Sequence, residues 1–240
     1  MKLTFLGTRG EIEARTRRHR MHSSLLVSYR GSNVMIDCGL DWLGKFERLR
    51  PGAIVLTHAH PDHAWGLKKG APCPVHAPRK TWRTLQGCKI DKRQLIKERD
   101  PTKICGITFE AFPVEHSILA PAVAYRISAG RACIFYGPDL LFIRDRAAAL
   151  KDVQVYIGDG ATLMRSFVRK RGDKLIGHAT VRTQLGWCEK ERVPRAIITH
   201  CGSEIVTGDQ RRLITNLRAM AAARGLEARI AHDGMELILR

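Results

Sequence analysis

A sheet-on-sheet α/β fold with helices on the outside is what this 240-residue chain predicts. Short apolar runs recur through the first two-thirds, several of them continuous β-branched stretches that suit strands covered on both faces. Helical periodicity gathers in the last third. No internal repeat and no long Gly/Ser linker interrupts the chain, so it reads as one domain, residues 1–240. Strands that dominate early, with helices increasing later, favour two packed sheets under outer helices.

The elements follow in order. Lys2–Leu6 is the opening strand, and Ser24–Tyr29, Asn33–Ile36 and Ala53–Leu56 continue it. Ile107–Phe112, Ala122–Ile127, Ala132–Tyr136 and Val153–Ile157 form a central group; Ala196–Ile198 and Glu236–Leu239 are the last strands. Thr180–Glu191 places Val181, Leu185 and Cys188 on one helical stripe, and Asp209–Arg224 gathers Leu213, Leu217, Met220 and Ala221 on one face. Thr207 with Gln210 reads as a capping box, and Gly225 as the helix stop.

Composition narrows the function class. Hydrophobic content of 44% is ordinary for a globular protein that buries a sizeable core. No apolar run approaches the roughly 20 residues of a membrane span. The N-terminal stretch is too short for a signal-peptide core. The expectation is a cytoplasmic protein with no membrane partner. Seven cysteines without a C-x-x-C pair fit a reducing compartment and buried apolar roles. The formal charge is +18, from 41 Lys+Arg against 23 Asp+Glu, and points to a polyanionic partner, foremost nucleic acid. Basic runs over 9–22, 89–103 and 165–174 offer phosphate contacts that position a backbone without reading its sequence. Arg9, Arg18, Arg20, His22, Arg169, Lys170 and Arg171 are the substrate-binding candidates. A merely solvated basic surface is the alternative.

The chemistry is concentrated in Thr57-His58-Ala59-His60-Pro61-Asp62-His63, directly after the Ala53–Leu56 run. Three imidazoles and a carboxylate this close suit zinc, and also manganese or iron. Other ligand-type residues follow strands in the same way: His116 after Ile107–Phe112, Asp139 after Ala132–Tyr136, Asp159 after Val153–Ile157, His200 after Ala196–Ile198. Loops held by a rigid sheet are where sites are built. If these ends converge, they supply ligands for two metals.

The pattern resembles the metallo-β-lactamase superfamily. H-x-H-x-D-H stands here as His58-Ala59-His60-Pro61-Asp62-His63, followed by Gly66-Leu67. Phe5-Leu6-Gly7-Thr8 resembles the family's opening strand and turn, and Ile36-Asp37-Cys38-Gly39 the strand whose aspartate supports the metal loop. Val114-Glu115-His116-Ser117, Tyr136-Gly137-Pro138-Asp139, Thr199-His200 and Asp233-Gly234-Met235 resemble its later motifs. The resemblance implies an αββα sandwich, two mixed sheets flanked by helices, with metals at one edge. It implies that His58, His60 and His116 bind one divalent metal, that Asp62, His63 and His200 bind the other, and that Asp139 bridges them. Zinc is the first expectation, with manganese or iron as alternatives, and the family implies that the chain can form a homodimer.

Within that family, His60 stands where redox di-iron relatives carry a glutamate, and no flavin domain follows. The resemblance therefore favours hydrolysis. Gly177-His178-Ala179-Thr180 resembles the H-x-T motif of ribonuclease Z and related nucleases, where the histidine assists leaving-group departure. A packing or capping histidine is the other reading. Ribonuclease Z carries His-Glu-Ala-Thr where this chain has Asp159-Gly160-Ala161-Thr162, so the glutamate is missing and Asp159 is its candidate substitute. The Lys68–Pro113 segment is also too short and too charged for a long tRNA-gripping arm. The expected activity is cleavage of RNA or DNA by water activated between two metals, with Asp62, Asp139 and His178 as catalytic residues. A hydrolase of small cyclic phosphodiesters or other esters is the alternative, and a nucleic-acid-binding protein with a weak site the second.

Overall fold

The computed structural model describes residues 1–240, with side chains at every position except 46 and 47. The first sheet holds β1 (Lys2–Gly7), β2 (Ser24–Tyr29), β3 (Ser32–Ile36), β4 (Ala53–Val55), β5 (Val75–Pro78) and β6 (Arg93–Ile96) in chain order, and the last strand, β17 (Glu236–Ile238), pairs outside β1. The second holds β7 (Thr102–Ile104), β8 (Ile107–Glu115), β9 (Ala122–Ala129), β10 (Ala132–Gly137), β11 (Phe142–Ile143), β12 (Val155–Asp159), β15 (Arg195–Thr199) and β16 (Glu227–Ile230), in the order β11-β8-β9-β10-β12-β15-β16 with β7 also on β8. A separate hairpin is formed by β13 (Phe167–Arg171) and β14 (Lys174–His178).

Both sheets are mixed in the same sense. Pairing is antiparallel through β1-β2-β3 and β8-β9-β10, then parallel through β3-β4-β5-β6 and β10-β12-β15-β16. The parallel strands of each sheet alternate between a core shared by the two sheets and an outer core of their own. Val34 and Ile36 of β3, Val55 of β4, Ile134 of β10 and Val155 and Ile157 of β12 share one core between the sheets. Met35 and Ile54 face a second core with Trp42, Leu67 and Leu85, while Phe135, Tyr156 and Ile198 face a third with the helices α4 (Val181–Lys190) and α6 (Gln210–Ala222). Side chains two apart share a face, so a run apolar at every position is what a strand covered on both sides requires. The αββα arrangement follows.

Two local expectations are corrected. The α6 N-cap is Asp209, whose carboxylate accepts from the Arg211 and Arg212 amides; Thr207 ends the short α5 (Ser203–Thr207) and donates to Ser203 O. Asp is as good a cap as Thr and lies one residue before the first turn. Asp159 lies in β12 rather than after it. Gly225 does stop α6, at φ +70°. The Lys68–Pro113 segment is taken up by β5 to β8 and the short α2 (Arg79–Thr84). No helix of the described residues is long and apolar enough to cross a membrane.

Candidate metal centre

The parallel strands point their carboxyl ends the same way, and ligands of open α/β sheets gather at that edge. After β4 the chain turns through His58 and His60 into the short α1 (Pro61–Ala64), which carries Asp62 and His63. β8, β10 and β15 deliver His116, Asp139 and His200 to the same place.

Donor atoms of His58, His60, His116 and Asp139 all lie within 4.8 Å of one another, and so do those of Asp62, His63, Asp139 and His200. In the first group His60 Nδ1 is 2.9 Å from His58 Nε2 and 3.2 Å from His116 Nε2. In the second, Asp62 Oδ2 is 3.2 Å from His63 Nε2 and 3.1 Å from His200 Nε2. Asp139 joins them: its Oδ2 lies 3.4 Å from His58 Nε2, 3.6 Å from His63 Nε2 and 3.7 Å from His200 Nε2.

Asp37 sets the orientation from behind. Its carboxylate accepts from the Thr57 amide at 2.8 Å, from Thr57 Oγ1 at 2.8 Å and from His63 Nδ1 at 2.9 Å. Thr57 Oγ1 in turn lies 3.0 Å from His58 Nδ1. The Nε2 atoms of His58 and His63 are thereby left for the centre, the arrangement in which an outer carboxylate fixes a ligand imidazole. Asp37 and His200 both adopt left-handed backbone, φ +59° and +50°. Such conformations cost of order 1–3 kcal/mol each and gather at functional sites.

The electrostatics split the imidazoles. Burial and the neighbouring histidines push His58 well below its ordinary range and His60 down to about 4, so both are neutral. Burial alone would do the same to His63, but Asp62 and Asp37 hold it up to about 10. Asp139 and its neighbours hold His200 well above its usual value against burial. Burial opposes ionisation of Asp62 and Asp139, yet His63 beside the first and His116 and His200 beside the second keep both carboxyls well below the carboxylate range. The fit to a cation is direct. His63 Nε2 and Asp139 Oδ1 are buried and have polar neighbours at 3.0–3.2 Å, but among the described residues none meets them in hydrogen-bonding geometry, and imidazole and carboxylate donors surround them.

His178 sits beside the centre, at the end of β14. Its Nδ1 is 2.7 Å from Asp159 Oδ2 and 3.0 Å from Asp139 Oδ1. Burial lowers its affinity for a proton, but those two carboxylates override it and raise it to about 11. Asp159 thus stands where a glutamate was missing. A side chain at Gly160 would meet Thr199 O at 2.5 Å, so a glutamate does not fit there. Gln184 locks Asp159 in turn: its Oε1 accepts from the Asp159 amide at 2.9 Å and its Nε2 donates to Asp159 O at 2.7 Å. Sequence reasoning passed over Gln184; its signal was a polar residue within the Val181–Leu185–Cys188 stripe. Thr180 of the H-x-T run caps α4 through the Thr183 amide at 3.0 Å. Gly177 at φ +122° ties the hairpin to His116, donating from its amide to His116 O at 2.9 Å and accepting from His116 Nδ1 at 3.2 Å.

The centre opens into a cleft of about 770 Å³ with His60, Asp62, His116, Asp139, His178 and His200 at its floor. Its walls carry Glu11, Ile12, Met164, Arg165, Phe167 and Glu204. The expected substrate cations are mostly elsewhere. Arg9 is buried, paired with Asp41 and bonded to the carbonyls of Gly10, Ile12 and Arg20, so it clamps the 9–22 loop instead of facing substrate. His22 is buried against Asp41, 3.2 Å from Nδ1 to Oδ2, and is likewise structural. Arg18 and Arg20 are exposed but do not line the cleft; their backbones bond to Asp233. Arg169, Lys170 and Arg171 stand on the hairpin whose base carries His178 and the wall residue Phe167.

Known proteins share this frame. Ribonuclease Z of Methanococcus maripaludis (strain C6) is 28% identical over 181 residues, 60% of this chain and 58% of that protein. The chain thus spans a little over half the length of that curated relative. A diphosphatase of the PhnP family superposes with a TM-score of 0.73 at 20% identity, over 100% of this chain and 98% of the other. The short form of human tRNase Z superposes with a TM-score of 0.67 at 18% identity, over the full length of both. At these identities the two superpositions speak to the fold alone. The family profile described as the beta-lactamase superfamily domain matches residues 32–201, most of the chain. With the ligand-bearing strand ends assembled in that same frame, the chain belongs to the metallo-β-lactamase superfamily.

Proposed function

We propose that the chain is a metal-dependent phosphodiesterase that cleaves nucleic acid. The family implies divalent metal ions at this edge of the fold, and the paired donor groups bridged by Asp139 are the observation that carries the reading. His58, His60 and His116 would hold one ion and Asp62, His63 and His200 the other, with Asp139 shared by the two groups. Nitrogen-rich donors with carboxylates favour zinc. When bound, such ions would supply an activated water and offset charge on the phosphoryl oxygens. Asp62 and Asp139 would orient that water and accept its proton. Asp159 holds His178 at Nδ1, which leaves Nε2 to hand a proton to the departing oxygen. Asp37 and Thr57 keep His58 and His63 turned inward throughout.

Nucleic acid is favoured over a small ester by the formal charge of +18 and by the name Ribonuclease Z of the curated relatives. The cleft favours a second reading, a small-phosphodiester hydrolase, because Arg165 is its one lysine or arginine among the described residues while Glu11 and Glu204 also line it. The deciding experiment is metal-reconstituted incubation with RNA, single- and double-stranded DNA and cyclic nucleotides, with product ends mapped and bound metal counted. Cleavage confined to cyclic nucleotides rejects the nucleic-acid reading; failure to retain metal rejects both. We place this activity in a single 240-residue domain, working in the cytoplasm as a monomer or homodimer.

A further inference from the structure

The β13–β14 hairpin pairs only with itself, in the register Phe167↔His178, Val168↔Gly177, Arg169↔Ile176, Lys170↔Leu175 and Arg171↔Lys174. All of β13 is exposed, as are Lys174 and Leu175. Its turn is Gly172–Asp173, with Gly172 at φ +61°, a glycine-first two-residue turn suited to a tight hairpin. Directly paired residues share a face, and faces alternate along each strand. One face therefore holds Phe167, Arg169, Arg171, Lys174 and Ile176 in line with His178. Lys170 stands on the other, with Val168 and Leu175.

We propose that the His178 face of this hairpin is a binding track for single-stranded nucleic acid. A base next to the scissile phosphate stacks on Phe167, and the phosphates beyond it run along Arg169, Arg171 and Lys174. Phe167 lines the cleft yet is 43% exposed, and Arg165 lies over its ring at 5.8 Å. An exposed aromatic beside a line of cations is how proteins hold single strands. Residues two apart on a strand repeat at about 6.6–6.8 Å, a stride commensurate with successive phosphates of an extended strand. No acidic residue shares this face; Asp173 is confined to the turn. The cleft, with Glu11 and Glu204 on its walls, gives a polyanion no comparable exit there. A small diester would leave the track unused. The direction of the track rests on the phosphodiesterase reading; the binding itself does not.

The test is fluorescence anisotropy of a labelled single-stranded oligouridylate of about 12 nucleotides, within the site sizes such grooves accept. The triple variant Arg169→Ser/Arg171→Ser/Lys174→Ser should lose affinity roughly tenfold or more, and its salt slope should fall by about 2, at about 0.7 per phosphate contact. A charge-matched control, Arg131→Ser/Lys151→Ser/Lys190→Ser, changes exposed residues preceding β10, β12 and β15 at the opposite edge of the sheet, and should stay within about twofold of wild type. Phe167→Ala should lose roughly fivefold or more, and Arg169→Ser should cost more than Lys170→Ser. Equal losses in the triple variant and its control, or a wild-type chain that does not bind the oligonucleotide, overturn the track. Hydrolysis of bis(p-nitrophenyl) phosphate by the metal-loaded wild-type chain reads the phosphodiesterase proposal separately. Track-dependent binding without that hydrolysis sinks the activity and keeps the track; hydrolysis without track-dependent binding does the reverse.

Discussion

The donor cluster at the strand ends and the β13–β14 hairpin meet at His178, yet they are built on opposite principles. In the cluster, His58, Asp62, His63, Asp139 and His200 are all buried, and residues behind it hold its parts in place: Asp37 behind His63, Thr57 behind His58, and Gln184 behind the Asp159 that holds His178. In the hairpin nearly every side chain is exposed, and its ties to the rest of the fold gather at its base: the His178–Asp159 bond, and backbone bonds at Gly177 and neighbouring Ala179. On the proposed reading, chemistry that needs sub-ångström placement is set in the rigid part, and contact with a long, variable partner is left to the part that solvent reaches.

The comparison breaks most readily at the bridge. Asp139→Ala should remove bound metal and diester hydrolysis together, with a loss well beyond the 10–100-fold typical of outer supporting residues. Metal content by mass spectrometry alongside turnover decides it; full metal with full activity would put the bridge elsewhere. His178→Ala separates the two regions at their junction. Metal should stay, while hydrolysis slows by about 10² to 10⁴, the range for a lost proton donor. The loss should shrink for substrates whose leaving group departs without a proton. Asp37→Asn is the milder test of the bracing. Asparagine keeps one acceptor for Thr57 but sets an NH2 donor against His63 Nδ1 and removes the charge, so metal affinity should fall by about 10–100-fold. Competition with a chromogenic chelator measures that fall.

The same contrast explains what could be read from the amino-acid order. His58, His60, Asp62 and His63 lie within six residues, so their convergence is local, and the strands β3, β4, β10, β12 and β15 announce themselves as apolar runs because both faces are covered. β6, β7, β13 and β14 did not. Their sequences, Arg93–Ile96, Thr102–Ile104, Phe167–Arg171 and Lys174–His178, are short and charged, and alternation leaves no mark where most of a strand is wet. Charge misled at Arg9 for a related reason. Composition counts a guanidinium alike whether it faces water or is folded onto Asp41 and three carbonyls.

The smallest effect concerns a histidine that is buried without the carboxylates that define the centre. His19 lies against Thr8 Oγ1, 2.8 Å from Nδ1, and its Nε2 has no partner among the described residues. Burial first, then Arg18 and His232, push it down to about 4, whereas carboxylates carry His63 and His178 upward. A lowered histidine stabilises the fold in its neutral form. That contribution is complete above the unfolded value near 6.5 and drains away as the pH falls toward 4, with a limiting slope of about 1.4 kcal/mol per pH unit. Urea midpoints between pH 7 and pH 4 should therefore fall more steeply for wild type than for His19→Gln, which has no proton to gain. Ligand histidines titrate in both proteins, so the difference between the two curves isolates position 19. Parallel curves would mean that His19 is protonated at no cost inside the fold and that burial does not depress it there.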